Sequence, residues 1–516
     1  MAEKEVITDL NSTESDESGS FDDADMALTG IKMLLNNGFE EARKLFEKYK
    51  NDSSLMNAGH SFVFFMTALM SFEEEKLDEA LKVLQETEKS CDTDSGVLKS
   101  IRKKFRSKKK KDESQISVED KIQRQVIVAD SLLYQAILVF TNQDIPSYIK
   151  GGWYLRKAYK LYEKLYKDVT QLQAKQGKLK ESRSQNSLPE SEISASEGAI
   201  DGNDNELSEE LLARLLGAVS FGYGTFQLCI SMVPPKILRL IEFLGFEGDR
   251  QAGLQALEYS SHSKDMKAPL ATLGLLWYHT VLRPFFALDG ANDYSAGTID
   301  AEKIIDEREG EFQNSALFLF FRGRIHRLRK ETDLSLEMYE KALEAAKGQR
   351  ELEFMCQYEI VCLGSMGDVK GAHEILKEVP GLLKKKNNQI EAYVSRRAEK
   401  MNKGAPSQEY CRLLSLELIF LWHALPTCKE EELKPYLDVC DMQTDPKVFH
   451  LKCLLEGAIF KELGQEELAI QYLEEAIARH QGMKDDHHVP AFALFEMASI
   501  YMKKPEVFCV NHVQNL

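Results

Sequence analysis

The chain has 516 residues, which is long for one compact core, so two to four domains or one extended repeat array are expected. Its net charge of −17 lies mainly in two segments, residues 1–25 and 181–210, each with nine acidic residues against one basic residue. The rest of the chain is close to neutral, which argues against general nucleic-acid binding.

The nine cysteines follow no pairing pattern, and no Cys-x-x-Cys motif occurs. The first 25 residues are acidic and rich in serine, unlike a secretory or mitochondrial signal, and they predict a disordered tail. Together these features predict a cytoplasmic protein with reduced, mostly buried thiols.

Ordered structure is predicted to begin near Asp25, a candidate N-cap. In "MALTGIKMLLNNGFEEARKLFEKYK" the apolar residues recur at helical spacing, and Asn36, Asn37 and Gly38 divide the stretch into a helical hairpin. A second hairpin follows in "SFVFFMTALMSFEEEKLDEALKVLQETEK". Nothing between residues 26 and 90 alternates with a period of two, so no strand is predicted there.

These hairpins share a 34-residue register with two later segments. The tetratricopeptide repeat needs small residues at positions 8, 20 and 27, where its two helices touch, and bulky residues at positions 4, 11 and 24. This pattern predicts an all-α fold, an α-solenoid of tetratricopeptide-type hairpins. The residues at the shared positions are Gly30, Ala42 and Phe46; Ala68, Ala80 and Leu84; Gly323, Ser335, Tyr339 and Ala342; and Gly457, Phe460, Ala469, Leu473 and Ala476.

The stretch "PPKILRLIEFLGFEGDRQAGLQALEYS" fits the same register as a degenerate repeat, with Gly253 at position 20 and Leu257 at position 24. Gly245 suits a left-handed helix C-cap, and Asp249 suits the N-cap of the second helix. Ile237, with Ile241 and Leu244, would supply the apolar face of the first helix, which Pro235 would begin.

The residues before this repeat allow two other interpretations. Gly222-Tyr223-Gly224 resembles the start of a phosphate-binding loop, but Gln227 stands where the third glycine belongs and no Gly-Lys-Ser/Thr follows. The uncharged run 215–235 is long enough to span or contact a bilayer. It also contains serines, glycines and a Pro-Pro pair, which favour a buried helix of the solenoid.

Two segments interrupt the repeats. Residues 102–111 carry eight basic side chains and are predicted to be a solvated loop, with weak contact to anionic membranes as an alternative. Residues 178–208 lack aromatic side chains and are predicted to be a disordered linker. The predicted divisions are a tail, 1–24; N-terminal repeats, 25–177, with the basic loop 102–116; the linker, 178–208; a central block, 209–310; shortened C-terminal repeats, 311–505; and a tail, 506–516.

No arrangement of residues points to catalysis, a cofactor or a metal. His487 and His488 are adjacent, so their side chains should point in different directions rather than share an ion. Trp277, Tyr278 and His279 form the most aromatic polar cluster, and core packing is the preferred interpretation over a ligand pocket. The Lys and Asn that some tetratricopeptide domains use to grip a carboxylate are replaced here by Ala27, Ile31, Phe320, Arg324, Leu454 and Ala458.

The stretch 221–260, followed by "DMKAPLATLGLLWYHTVLRPFFALDG", resembles the hallmark of the tetratricopeptide repeat protein 39 family. The segments "ALTGIKMLLNNGFEEARKLFEKY" and "YIKGGWYLRKAYKLYEKLY" match as well, and "LLNNGF" with "SKDMKAPLATL" is most similar to the branch lettered C. The resemblance covers nearly all of residues 26–505. It departs near 358–367, where one hairpin is expected to be missing, and at "VFCVNHVQNL".

The resemblance implies a non-enzymatic helical scaffold that binds other proteins through its repeat groove, in the cytoplasm and in association with cilium assembly. It identifies no partner and no binding residue. The alternative hypothesis is a peripheral membrane protein that uses residues 215–235 and the basic run 102–111.

Overall fold

The computed structural model describes residues 22–92, 117–142, 144–185, 208–232, 245–286, 288–289, 293–349, 352–353, 355–356, 408–421, 423–480 and 486–502. Within these ranges all regular structure is helical, so the predicted all-α fold is confirmed. The first helices are α1 (Asp23–Leu35), α2 (Phe39–Tyr49), α3 (Ser54–Ser71), α4 (Glu74–Cys91), α5 (Val118–Phe140), α6 (Ile145–Gln185), α7 (Glu209–Ser231) and α8 (Arg250–Ser261).

The later helices follow in the same order along the chain. They are α9 (Ala268–Trp277), α10 (Ser295–Asp306), α11 (Ala316–Leu328), α12 (Thr332–Ala345), α13 (Gln408–Leu421), α14 (Glu430–Asp441), α15 (Phe449–Glu462), α16 (Glu466–His480) and α17 (His488–Met502). Helix α9 continues through a π-helical turn, Tyr278–Leu282, into a short last turn, Arg283–Phe285.

The packing within each hairpin follows the predicted repeat register. A Cβ atom placed on Gly30 would lie 2.4 Å from the ring of Phe46, because position 8 of α1 lies against position 24 of α2. A Cβ on Gly323 would lie 2.8 Å from the ring of Tyr339, and a Cβ on Gly457 would lie 2.7 Å from the side chain of Leu473. The small residue therefore sets the distance between the two helices, and the tetratricopeptide-type repeat is confirmed.

The glycines of the central stretch serve helix packing as well. Gly222 and Gly224 lie inside α7, and a Cβ on Gly222 would lie 2.1 Å from the ring of Tyr162 on α6. A Cβ on Gly224 would lie 2.8 Å from the carbonyl oxygen of Gly253 on α8, so these two helices cross at backbone contact. The interpretation of Gly222-Tyr223-Gly224 as a phosphate loop is therefore wrong, since the segment is continuous helix.

The turn before α8 has the predicted chemistry. Gly245 adopts φ +83°, a left-handed conformation that a side chain would disfavour. The Asp249 side chain accepts a hydrogen bond from the backbone N–H of Ala252, as an N-cap does. The proposed first helix of this degenerate repeat, with Ile237, lies at 233–244, outside the described residues.

The first hairpin docks onto a segment almost 280 residues later in the chain. The side-chain amides of Asn36 and Asn37 donate to the carbonyl oxygens of Glu311 and Asn314, each at 2.9 Å. The Ser315 hydroxyl donates to the Leu35 carbonyl oxygen at 2.5 Å. One apolar core consequently runs from α1 to the residues that follow α12.

Helices α13 to α17 surround a second apolar core. The last of them, α17, exposes Phe492 and Phe495. Helix α1 is capped by Asp22 rather than Asp25, and α6 continues to Gln185, past the boundary predicted at 177. The predicted segments 1–21, 102–116, 186–207 and 503–516 lie outside the described residues.

The glycine contacts make a specific prediction for stability. A Cβ on Gly59 of α3 would lie 2.0 Å from the Phe46 ring, which packs against Gly30 on its other side. We expect Gly59→Ala to lower the free energy of unfolding by about 1–3 kcal/mol, because the crowded ring has no space to move into. The measurement is chemical denaturation followed by circular dichroism.

Gly274→Ala is the matched control, since Gly274 is also helical but nothing lies within 4 Å of its Cβ position. This substitution should leave the stability unchanged or raise it slightly, because alanine favours helix over glycine. Equal effects at the two sites would contradict the packing rule.

A buried carboxyl in the C-terminal repeats carries an unusual pKa. Glu456 of α15 is buried, its Lys452 partner lies 3.6 Å away, and its Oε2 accepts no hydrogen bond from any described residue. Burial raises the pKa of Glu456 from 4.5 to about 7, although the Lys452 cation opposes the shift. The folded protein therefore holds a proton on this carboxyl at a pH where the unfolded chain has released it.

Stability should fall as pH rises from about 4.5 to about 7, since only the folded state binds this proton across that window. Above about pH 7 we expect Glu456→Gln to gain stability relative to the wild type. The difference in unfolding free energy between the two proteins should change in favour of the variant by an amount on the order of 2 kcal/mol between acidic pH and this range. Chemical denaturation curves of both proteins at several pH values measure this free energy of unfolding. A difference between them that does not change with pH would rule out the raised pKa.

Candidate functional site

The helix positions that grip a carboxylate in other tetratricopeptide domains are inside this protein. Ala27 and Ile31 of α1 are fully buried, as are Phe320, Leu454 and, almost fully, Ala458. Arg324 instead donates from Nη2 to the Thr280 carbonyl oxygen at 3.0 Å. These positions are therefore closed to the carboxylate of a partner.

Most of the uncharged run 215–235 is buried as far as it is described, to residue 232, although Cys229 is exposed. Leu215, Val219, Phe226 and Ile230 of α7 are buried against neighbouring helices, which confirms the interpretation as a buried helix. Across the described helices, none combines the length and apolar character that a bilayer crossing needs. The basic run 102–111, the other half of the membrane hypothesis, lies outside the described residues.

Two buried ion pairs join α5, α6, α7 and the segment before α9. The Lys267 ammonium lies 2.6 Å from Asp130 Oδ2, while the Tyr162 hydroxyl donates to the other oxygen of the Asp130 carboxylate. Nearby, Arg214 Nη1 lies 3.8 Å from Asp265 Oδ2. All five side chains are buried, and we call them the interior ion cluster. Groups outside it complete their hydrogen bonding: Arg214 donates to Glu119 Oε1 at 3.1 Å and to Gln123 Oε1 at 3.0 Å, and Lys267 donates to the Ala218 carbonyl oxygen at 3.1 Å.

The protonation states follow from the surroundings of each group. Burial raises the pKa of Asp265, and the positive charges of Lys267 and Arg214 oppose that rise. Burial and the negative charge of Asp130 hold the pKa of Tyr162 well above its usual range, so this hydroxyl remains a donor. Sequence reasoning singled out "SKDMKAPLATL" as a resemblance but missed that its Asp265 and Lys267 are structural.

A cavity of about 30 Å³ borders this cluster, with Asp130, Arg214, Asp265 and Lys267 on one side and apolar residues on the other. That volume exceeds the roughly 10–15 Å³ that one water molecule needs, but it is far below the roughly 300 Å³ of a small ligand pocket. The polar interior therefore serves structure rather than ligand binding.

Breaking one ion pair should be more harmful than replacing the pair. We expect Lys267→Met to lower the free energy of unfolding by about 3–5 kcal/mol, because Asp130 is left charged and buried without its cation. The double variant Lys267→Met with Asp130→Asn should recover part of this loss, since the introduced amide would stay neutral and its oxygen could still accept from Tyr162. Additive losses in a double-mutant cycle would show that the two side chains do not interact.

A cluster of large apolar side chains is exposed where α9 ends. Phe285 is 67% exposed, Trp277 and Phe286 are each 41% exposed, and Ile299 on the adjoining α10 is 62% exposed. We call this set the aromatic surface. The predicted core packing is therefore right for Tyr278, which is buried, and wrong for Trp277.

The aromatic surface stands on a firmly packed base. The π-helical turn Tyr278–Leu282 separates Trp277 from Phe285, and such turns are rare and frequent at functional sites. A Cβ on Gly297 would lie 2.8 Å from the His279 carbonyl oxygen, so α10 approaches the turn at backbone distance. The bond from Arg324 to the Thr280 carbonyl fixes the turn from α11.

Arg283 ties the exposed aromatic residues to α10. Its guanidinium donates to both carboxylate oxygens of Asp289, at 2.5 and 2.9 Å, and to Asp300 Oδ2 at 2.7 Å. The same guanidinium lies 3.1 Å from His279 Nδ1. Burial lowers the pKa of His279 to about 4 in spite of the Asp300 carboxylate, so the ring is neutral at physiological pH and accepts from Arg283.

The remaining candidate residues lie apart from this surface. His488 Nε2 lies 2.9 Å from Glu417 Oε1, whereas the His487 ring packs against the His480 ring, so the two side chains do point in different directions. Within the described part of the chain, no set of three or more metal-ligating side chains converges. Of the six cysteines whose side chains are described, Cys229 is exposed and the others are buried, and burial raises the pKa of Cys428 to about 12.

The sequence matches the model of a known protein family. The family model described as Iml2/Tetratricopeptide repeat protein 39 matches residues 28–368 and 361–463, which is most of the chain. The chain belongs to the Iml2/tetratricopeptide repeat protein 39 family. Its two matched stretches meet at the place where one hairpin is expected to be missing, and the aromatic surface lies within the first of them.

Among solved structures, this member of the Iml2/tetratricopeptide repeat protein 39 family is similar to yeast Tom70. The similarity spans 93% of this chain and 95% of that chain, at 11% sequence identity and a TM-score of 0.20.

Proposed function

We propose that this protein is a non-enzymatic adaptor that binds an apolar segment of another protein at the aromatic surface. Tetratricopeptide-type repeats are a protein-binding fold, and the family match places this chain among them. The single observation that carries the location is the exposure of Phe285 and Phe286, close in the chain to the fixed guanidinium of Arg283, and of Ile299, next to its partner Asp300.

The composition of this surface is that of a protein-binding hot spot. Aromatic side chains and arginine dominate the energy of interfaces, and they do so best where the side chains are held in place before binding. Phe285 and Phe286 meet edge to face at 5.0 Å, and Arg283 is held by two carboxylates. A partner would therefore gain apolar burial without paying to order the surface.

The experiment compares one double variant and one single variant of the full chain. Phe285→Ser with Phe286→Ser should weaken binding to the true partner at least about tenfold, because interface aromatics often contribute more than one factor of ten. Leu468→Ser, on the exposed face of α16, is the matched control and should bind as the wild type. Proximity labelling in ciliated cells identifies candidates, and titration of each purified candidate measures the affinity.

Proteins labelled by the wild type and by Leu468→Ser, but not by the double variant, are the expected partners. An unchanged labelling profile in the double variant, with an unchanged melting temperature, would remove the aromatic surface from the function. We further propose a cytoplasmic site of action in cilium assembly, which is supported by the family resemblance. Depletion that leaves cilium number and length unchanged would contradict this part.

A further inference from the structure

The start of α6 exposes a second apolar surface, unrelated to the aromatic surface. Ile145 is 75% exposed, Ile149 is 70% exposed and Trp153 is 60% exposed, and they follow one another at intervals of four residues. Tyr148 is exposed beside them. In an α-helix this spacing places the side chains along one line about 12 Å long, which we call the α6 stripe.

The stripe lies on a capped and closely packed helix start rather than on a frayed helix end. The Asp144 carboxylate accepts from the Ser147 backbone N–H at 2.7 Å and so caps the helix. A Cβ on Gly151 would lie 2.5 Å from the Phe140 ring, so this glycine lets α6 pack closely on the end of α5. The face that carries Ile149 and Trp153 is thereby held towards solvent.

Basic side chains continue the exposed face of α6. From residue 145 to residue 162 the chain contains Lys150, Arg156, Lys157 and Lys160 and no acidic residue. Arg156 and Lys160 are exposed, and at 100° per residue they fall on the same side of the helix as Ile145 and Ile149. The surface is therefore apolar for about three turns and then basic at Arg156 and Lys160, before the exposed Glu163 on the same side of the helix.

We propose that the α6 stripe binds the surface of an anionic phospholipid bilayer. Tryptophan and tyrosine favour the boundary between headgroups and acyl chains, isoleucine buries apolar area there, and lysine and arginine attract anionic headgroups. Side chains exposed by 60–75% stand out from the helix, as a bilayer contact requires, and the neighbouring Arg156 and Lys160 supply the positive charge that an anionic surface attracts. The contact is peripheral, since only the first turns of α6 are apolar.

Gly152 provides the sharpest test. It lies within the stripe, between Ile149 and Trp153, and nothing lies within 4 Å of its Cβ position. Gly152→Glu should therefore fold normally and place a negative charge in the stripe, while Gly152→Ala is the matched neutral control. Circular dichroism melts of both variants should overlay that of the wild type or lie slightly above it.

Binding is measured by sedimentation of the full chain with vesicles made of equal parts phosphatidylcholine and phosphatidylserine. The wild type and Gly152→Ala should bind, and Gly152→Glu should bind at least about tenfold more weakly, through lost insertion and added repulsion. Ile149→Ser with Trp153→Ser should show the same loss. Phe285→Ser with Phe286→Ser should bind as the wild type, which keeps this result independent of the adaptor function.

A second readout locates the contact. Brominated phospholipids should quench part of the tryptophan fluorescence of the wild type, and that part should be absent in Trp153→Phe. Salt should weaken the binding without abolishing it, because screening removes the attraction of the basic residues but not the apolar contribution.

Three results would overturn the proposal. The first is equal vesicle binding by the wild type and Gly152→Glu, or none by either. The second is a loss of all binding when Lys108 to Lys111 are replaced by glutamine, with Gly152→Glu unaffected, which would assign the contact to the basic run. The third is a lipid-independent dimer that Gly152→Glu dissociates in sedimentation analysis, which would make the stripe a contact between two copies of the chain.

Discussion

Direct contact between a glycine on one helix and a bulky side chain or backbone on the next is the constraint on which this structure depends. The ring of Phe46 lies between Gly30 and Gly59, and the ring of Tyr162 lies on Gly222. A methyl group at any of these glycines would have to push a buried ring aside in a core that has little free volume. The same device sets both surfaces, since Gly297 holds α10 on the π-helical turn and Gly151 holds α6 on Phe140.

The close packing has a consequence for binding. The positions that grip a carboxylate in other repeats of this type are buried here, as they are at Ala27, Ile31 and Leu454. Several buried charges are paired inside the described structure, as Lys267 is with Asp130 and Lys461 is with Glu496. In the described helices, the large apolar side chains that remain exposed lie on outer faces.

Two of those outer faces differ in chemistry. The aromatic surface places its guanidinium between Asp289 and Asp300, so its positive charge is already neutralised and apolar contact dominates. The α6 stripe is followed by Arg156 and Lys160 on the same side of the helix, so positive charge accompanies the apolar residues. This contrast is why a protein segment suits the first surface and an anionic lipid surface suits the second.

The sequence by itself determined the helical hairpins and their register. Small residues such as Gly323 and Gly457 recur at the offset where two helices of one hairpin meet, and a contact between near neighbours in the chain leaves a periodic signal. The turn chemistry at Gly245 and Asp249 was predictable for the same reason, because caps are local.

Only the tertiary structure decided which apolar residues are covered. Trp277 was expected in the core and is exposed, and nothing in "IPSYIKGGWY" distinguished the stripe from an ordinary buried face. The pairing of Asp130 with Lys267, and the docking of Asn37 on Asn314, join residues far apart in the chain. Such contacts depend on how hairpins stack, and stacking is fixed by the sum of many surfaces rather than by any local pattern.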